Sequence, residues 1–163
     1  MKKLLTLTLS IILLASAHTT YASAEENSNS EIEYLEDGCY LETTITDEPT
    51  LFANPGISLY ATKTTTTKTK KLNYCKNGNV LWYIKVKGTF TYGNGFAKCI
   101  ASEVTSKSNN SLWKLSNVRA SKTGDKAIGY VTAKLYRLPN AIGLLKTVNE
   151  TVTLKCSPTG NFS

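Results

Sequence analysis

The sequence predicts an all-β chain folded as a single antiparallel β-sandwich of about seven strands. Three observations carry that reading. Residues of VLWYIKVKGTFTY, Val80 to Tyr92, alternate strictly: Val80, Trp82, Ile84, Val86, Phe90 and Tyr92 share one phase, with Gly88 keeping it. Turn signals recur between such stretches at near-regular spacing, as in antiparallel sandwiches and barrels. Thr, Val, Tyr and Lys dominate, and no long segment keeps a 3.6-residue period.

Before the first strand, Lys2 and Lys3 precede a short apolar run from Leu4 to Ala17 and an A-x-A site at Ala22-Ser23-Ala24. Residues 1–24 read as a secretory signal peptide, which makes Glu25–Ser163 an exported, extracellular chain, with cell-wall association an option. The apolar run is too short to span a bilayer, so no transmembrane segment is expected. Residues 25–38 form a polar, acidic stretch, read as a flexible arm ahead of a domain over 39–163.

Cys39–Thr46 alternates as the first strand, and Asp47-Glu48-Pro49 ends it. Ile57–Tyr74 is rich in Thr and Lys. Threonine favours extended, half-buried surfaces, so a long strand is expected, near an edge where lysines discourage stray pairing. Lys76-Asn77-Gly78-Asn79 supplies an Asn-Gly hairpin turn into the Val80 strand. After Gly93-Asn94-Gly95 come strands at Phe96–Thr105, Leu112–Ala120, Lys126–Tyr136 and Leu144–Cys156. The separators are SKSNNS, SKTGD and RLPNAIG.

Cys99, Trp113 and Cys156 stand in the order cysteine, tryptophan, cysteine, a spacing that resembles an immunoglobulin domain. The resemblance is to an Ig-like sandwich without its full topology: Leu154 occupies the position of the expected tyrosine, and about half the strands precede Cys99. In an exported chain the four cysteines, Cys39, Cys75, Cys99 and Cys156, read as two disulfides. Three pairings are possible. Cys39–Cys75 with Cys99–Cys156 is preferred, because the first ties the N-terminal strand to the neighbouring hairpin and the second joins two core strands. The mature chain also resembles small secreted proteins of Gram-positive anaerobes, in VLWYIKVKGTFTYGNGFAKC, SLWKLSNVRASKTGDKAIGYVTAKLY and TVTLKCSPTGNFS, which cover most of its C-terminal two-thirds. That resemblance implies export and a β fold and transfers no functional residue.

Charge is divided along the chain. Residues 25–48 hold nine acids and no Lys or Arg, whereas residues 49–163 hold seventeen Lys/Arg and three acids. Such asymmetry can steer the body toward polyanions, or serve only solubility and edge protection. Catalytic machinery finds little support. The only histidine, His18, lies in the leader, which removes Ser-His-Asp, Cys-His and His-metal arrangements from the rest. No metal site or cofactor is expected. Glu103 and Glu150 could converge as a carboxylate pair for a hydrolase; salt bridges to nearby lysines are the plainer expectation.

Trp82 and Trp113 are expected in the core. Tyr83, Tyr130 and Tyr136 fall on the opposite phase, with Lys85, Lys87 and Lys134 beside them in sequence. Tyrosine gives a flat apolar ring with a hydroxyl, suited to recognition. The expected function is therefore a secreted, non-enzymatic binding or surface-associated module. Its ligand would be an anionic cell-wall polymer, a glycan or a surface protein, held on Tyr83, Lys85, Lys87, Tyr130, Lys134 and Tyr136. The alternatives are an antibacterial or effector protein and the Glu103/Glu150 hydrolase. Nucleic acid is a poor fit, since its binding motifs are absent.

Overall fold

The computed structural model describes residues 30–48 and 63–163. The leader and Ile57–Thr62, the start of the expected Thr/Lys strand, lie outside the described residues. Eight strands follow in order: β1 (Ser30–Tyr34), β2 (Cys39–Asp47), β3 (Thr64–Lys76), β4 (Asn79–Gly93), β5 (Phe96–Ser108), β6 (Trp113–Thr123), β7 (Lys126–Leu138) and β8 (Ile142–Lys155). A short 3-10 turn, Glu36–Gly38, joins β1 to β2. The strands make two antiparallel sheets, β1-β2-β3-β4-β5 and β6-β7-β8.

The seven expected strands correspond to β2 through β8, and their turns follow from local chemistry. Asn77 (φ 50) and Gly78 (φ 78) take left-handed conformations in the β3–β4 turn, as an Asn-Gly hairpin requires. Asn94 (φ 52) and Gly95 (φ 80) do the same between β4 and β5.

Three expectations need correction. Part of the arm at 25–38 is not free: Ser30–Tyr34 pairs along β2, from Ser30 opposite Thr44 to Tyr34 opposite Tyr40. Ile32 and Tyr34 give this stretch enough β propensity to extend the sheet despite its acids. Strand β3 is central rather than an edge, flanked by β2 and β4. Its threonines serve cross-strand pairing, with Thr67 and Thr89 hydroxyls 3.0 Å apart and Thr65 and Thr91 3.1 Å apart. Finally, each sheet follows chain order without a crossover. This is not the Greek-key order of an immunoglobulin domain.

One core cluster takes residues from both sheets. Leu41, Leu72, Tyr74, Trp82, Ile84, Val86 and Phe90 come from the larger, and Trp113, Ala127, Val131, Ala133, Val152 and Leu154 from the smaller. Tyr74 stacks on Trp82 with centroids 5.1 Å apart, and Trp113 meets Tyr74 at 5.2 Å. Trp82 and Trp113 are thus core residues, as expected. Gly129 allows β7 to lie close to β4. A Cβ there would overlap Val86 Cγ2 and stand 3.1 Å from Val104 Cγ2. Gly88 plays the reciprocal part, since a Cβ on it would meet the Phe90 ring and, at 2.8 Å, Ala127 Cβ.

The two-disulfide expectation is also corrected: all four cysteines are buried free thiols. The register shows why Cys39 and Cys75 do not join. Cys39 is opposite Lys76 and Cys75 is opposite Tyr40, so the two thiols leave opposite faces of the sheet. Cys39 enters the core cluster and Cys75 does not. Cys99 and Cys156 both belong to that cluster, at the corner where their backbone N–H groups bond to Gly124 and Asp125 carbonyls at 2.8 and 3.0 Å. They too remain thiols.

Candidate ligand-binding face

The six expected ligand-binding residues do point away from the core, but they divide between two faces. Tyr83, Lys85 and Lys87 alternate with buried Trp82, Ile84 and Val86 on β4 of the larger sheet. Tyr130, Lys134 and Tyr136 occupy the outward phase of β7 in the smaller sheet, alternating with Val131 and Ala133. Strand parity sends each set outward from its own sheet, so the structure does not bring them into one site.

The face of the larger sheet mixes cations and carboxylates, with one salt bridge, Lys85–Glu48, among its described residues. Lys85 and Lys71 are directly opposite, yet Lys85 bonds Glu48 at 3.1 Å and the Lys71 ammonium sits 4.8 Å from the Tyr83 ring centroid. Glu48 also accepts from the Thr69 hydroxyl at 2.7 Å. That bond, followed by the Lys85 contact, holds its carboxyl below the usual range. Lys87 pairs in register with Glu103, and Asn73 donates to Glu42 at 3.0 Å. Three carboxylates therefore interleave with these cations.

The face of the smaller sheet is different. Lys114 on β6 stands directly opposite Lys134 on β7, and Arg119 opposite Tyr130. Lys126 stands opposite Lys155. Of these five cations, only Lys155 has a carboxylate within salt-bridge reach among the described residues: Asp125, 3.8 Å away in the β6–β7 turn. Like charges directly opposite on neighbouring strands oppose folding. The Lys114–Lys134 pair therefore raises local positive potential with no internal compensation.

A concavity of about 140 Å³ opens beside that pair. The ladder slips between Ser116 and Arg119, and Asn117 takes φ 53 there, a bulge that re-aims side chains. Asn117 Nδ2 donates to Thr132 Oγ1 at 3.2 Å, and Thr132 Oγ1 donates to Asn149 Oδ1 at 2.8 Å. The Arg119 guanidinium carbon lies over the Tyr130 ring, 4.3 Å from its centroid, a cation–π contact. Cation, aromatic ring and a chain of amide and hydroxyl groups converge on three strands, and Glu150 also lines the hollow. The polar chain suits a ligand carrying hydroxyl groups, and Arg119 is the lining group that would meet its anionic part.

Sequence reading found Tyr130 and Lys134 but missed Lys114, Asn117, Arg119, Thr132 and Asn149. The one local signal was the broken alternation after Leu115, where Asn117 tolerates a left-handed backbone. The expected Glu103/Glu150 pair is corrected. Glu103 lies on the outer phase of β5, in register with Lys87, whereas Glu150 shares the inward phase of β8 with Val148, Val152 and Leu154. The larger sheet stands between their side chains. A glycosidase pair must flank one bond. Burial, reinforced by Glu33, pushes the Glu150 carboxyl above its usual range.

Among the described residues, no group of three or more His, Cys, Asp or Glu could hold a metal ion, and no helix is long and apolar enough to cross a membrane. No protein-family model, curated protein or solved structure matches the chain.

Proposed function

We propose that this is an exported, non-enzymatic binding module, a two-layer β-sandwich whose β6–β8 face holds an anionic, hydroxyl-bearing polymer. An acidic polysaccharide or a polyol phosphate of a cell wall has the required chemistry. The observation that carries the reading is the uncompensated Lys114–Lys134 pair beside the Asn117–Thr132–Asn149 chain. The cations supply attraction and the amides and hydroxyls supply orientation, the division of roles expected where charge gives on-rate and polar geometry gives selectivity. Tyr130 and Tyr136 add flat apolar surface for a sugar or polyol. Tyr83, Lys85 and Lys87 are given a secondary part, since Glu48 holds Lys85 and Glu103 stands in register with Lys87.

The test is affinity for dextran sulfate and for poly(glycerol phosphate) over a salt series. Binding should weaken steeply as salt rises, and Asn149→Ala should shift the preference between the two polymers. Absence of binding at low salt sinks the proposal. A growth assay with purified protein tests the antibacterial or effector reading.

A further inference from the structure

The β7–β8 hairpin carries a second surface. Strand β6 starts at Trp113, opposite Leu135, while β7 and β8 run on to close at Leu138 opposite Ile142. The two-stranded ribbon therefore extends roughly 10 Å past its neighbour, from the rise of a strand. Its apolar residues are exposed: Leu138 at 47%, Ile142 at 55%, Leu144 at 54% and Leu145 at 56%. Tyr136 is opposite Leu144 and Leu138 opposite Ile142. By strand parity these four share the outward side already occupied by Lys134. Leu145 is the extra residue where the register shifts between Leu135 and Tyr136.

One outward surface thus runs from the Lys114–Lys134 cations, past Tyr136, to an apolar tip. Arg137 is exposed on the opposite side of the ribbon. No carboxylate lies in residues 126–146 of the ribbon. Below the tip Lys146 donates to the Tyr74 hydroxyl at 3.4 Å, and Tyr74 stands opposite Leu41 near the start of β2, so Glu36 and Asp37 of the β1–β2 turn belong to the same end of the molecule.

We infer that this hairpin tip docks on a lipid bilayer bearing anionic headgroups. Leu138, Ile142 and Leu144 enter the boundary of the acyl region, Tyr136 sits at the interface, and Lys134 and Lys114 meet the headgroup phosphates. The order of the side chains matches that of an interfacial element: apolar body in front, aromatic with a polar end next, cations behind. Leu138 lies four strand rises beyond Lys134, roughly 13 Å, enough to cross the headgroup layer. A second copy of the chain is a poorer occupant, because its own lysines would face this one across the tip. The inference shares Lys114 and Lys134 with the polymer-binding reading but requires the apolar tip, which that reading does not.

The experiment is co-sedimentation of the purified protein with vesicles of phosphatidylcholine alone and with phosphatidylglycerol added. Binding should occur only with phosphatidylglycerol and should fall at least tenfold in Ile142→Ser/Leu144→Ser, whose affinity for dextran sulfate stays unchanged. In Leu144→Trp, a protein that keeps an apolar tip, the new indole emission should shift to the blue with anionic vesicles and not with dextran sulfate. No sedimentation with anionic vesicles, or sedimentation indifferent to the double substitution, overturns the inference. So does lipid-free dimerisation that the double substitution abolishes. Loss of vesicle binding with polymer binding retained leaves the earlier reading standing; the converse removes that reading alone.

Discussion

Lys114 and Lys134 face each other across β6 and β7 with no carboxylate bridging them among the described residues. The arrangement costs stability and yields potential. Replacing Lys134 with Thr should stabilise the fold by ~0.2–1 kcal/mol at low ionic strength. The same change should weaken binding to a soluble polyanion. Thermal melts at two salt concentrations check the first part, since screening should shrink the gain. Destabilisation by Lys134→Thr would mean that the pair is compensated after all.

Gly129 should be intolerant of a side chain. Its Cβ position is occupied by Val86 Cγ2 and crowded by Val104, so Gly129→Ala should destabilise by about 1–3 kcal/mol through overpacking. Gly124, where a Cβ would meet nothing within 4 Å but φ is +54, offers the contrast of strain without crowding. Denaturant unfolding distinguishes the two: Gly129→Ala should recover stability when Val86 is cut to Ala, and Gly124→Ala should not.

Glu150 should make stability depend on pH. Burial and then Glu33 raise its folded carboxyl above the ordinary value of 4.5. A raised carboxyl binds more protons folded than unfolded, so its contribution is present below about pH 4.5 and is lost as pH rises through the folded value. Glu150→Gln should therefore raise the melting temperature at pH 7 and leave it little changed at pH 3. Equal effects at both would place the cause in packing rather than ionisation.

The thiols should be silent in the native state. Desolvation is the leading cause that pushes Cys75, Cys99 and Cys156 above the usual thiol value, and Cys39 is buried with them. Low thiolate content and no access suppress reaction. A thiol reagent should label none at neutral pH and four after unfolding in denaturant. Fast native labelling, or fewer than four thiols on unfolding, would contradict the structure.

Much of the fold was legible because strand parity is a local property. Trp82, Ile84 and Val86 announce a buried phase on their own, and Asn77-Gly78 announces its turn. The cysteine pairing was not, because it depends on register. A shift of one residue between β2 and β3 decides whether Cys39 and Cys75 share a face, and nothing near either cysteine encodes that. The candidate site was half legible for the same reason. Parity sent Tyr83, Lys85, Tyr130 and Lys134 outward correctly. Which cation gains a carboxylate depends on neighbours distant in sequence: Lys85 and Lys134 each face a lysine across a strand, and only Lys85 is reached by one, Glu48. The placement of β3 at the centre of its sheet likewise depends on β1 and β2 folding onto its far side.

Comparing charge reversals on the two faces tests the central claim most directly. Affinity for dextran sulfate at low salt should fall at least tenfold in Lys114→Glu/Lys134→Glu and change less than twofold in Lys85→Glu/Lys87→Glu. If the second pair carries the loss, or the two lose equally, the β6–β8 face is not the binding surface.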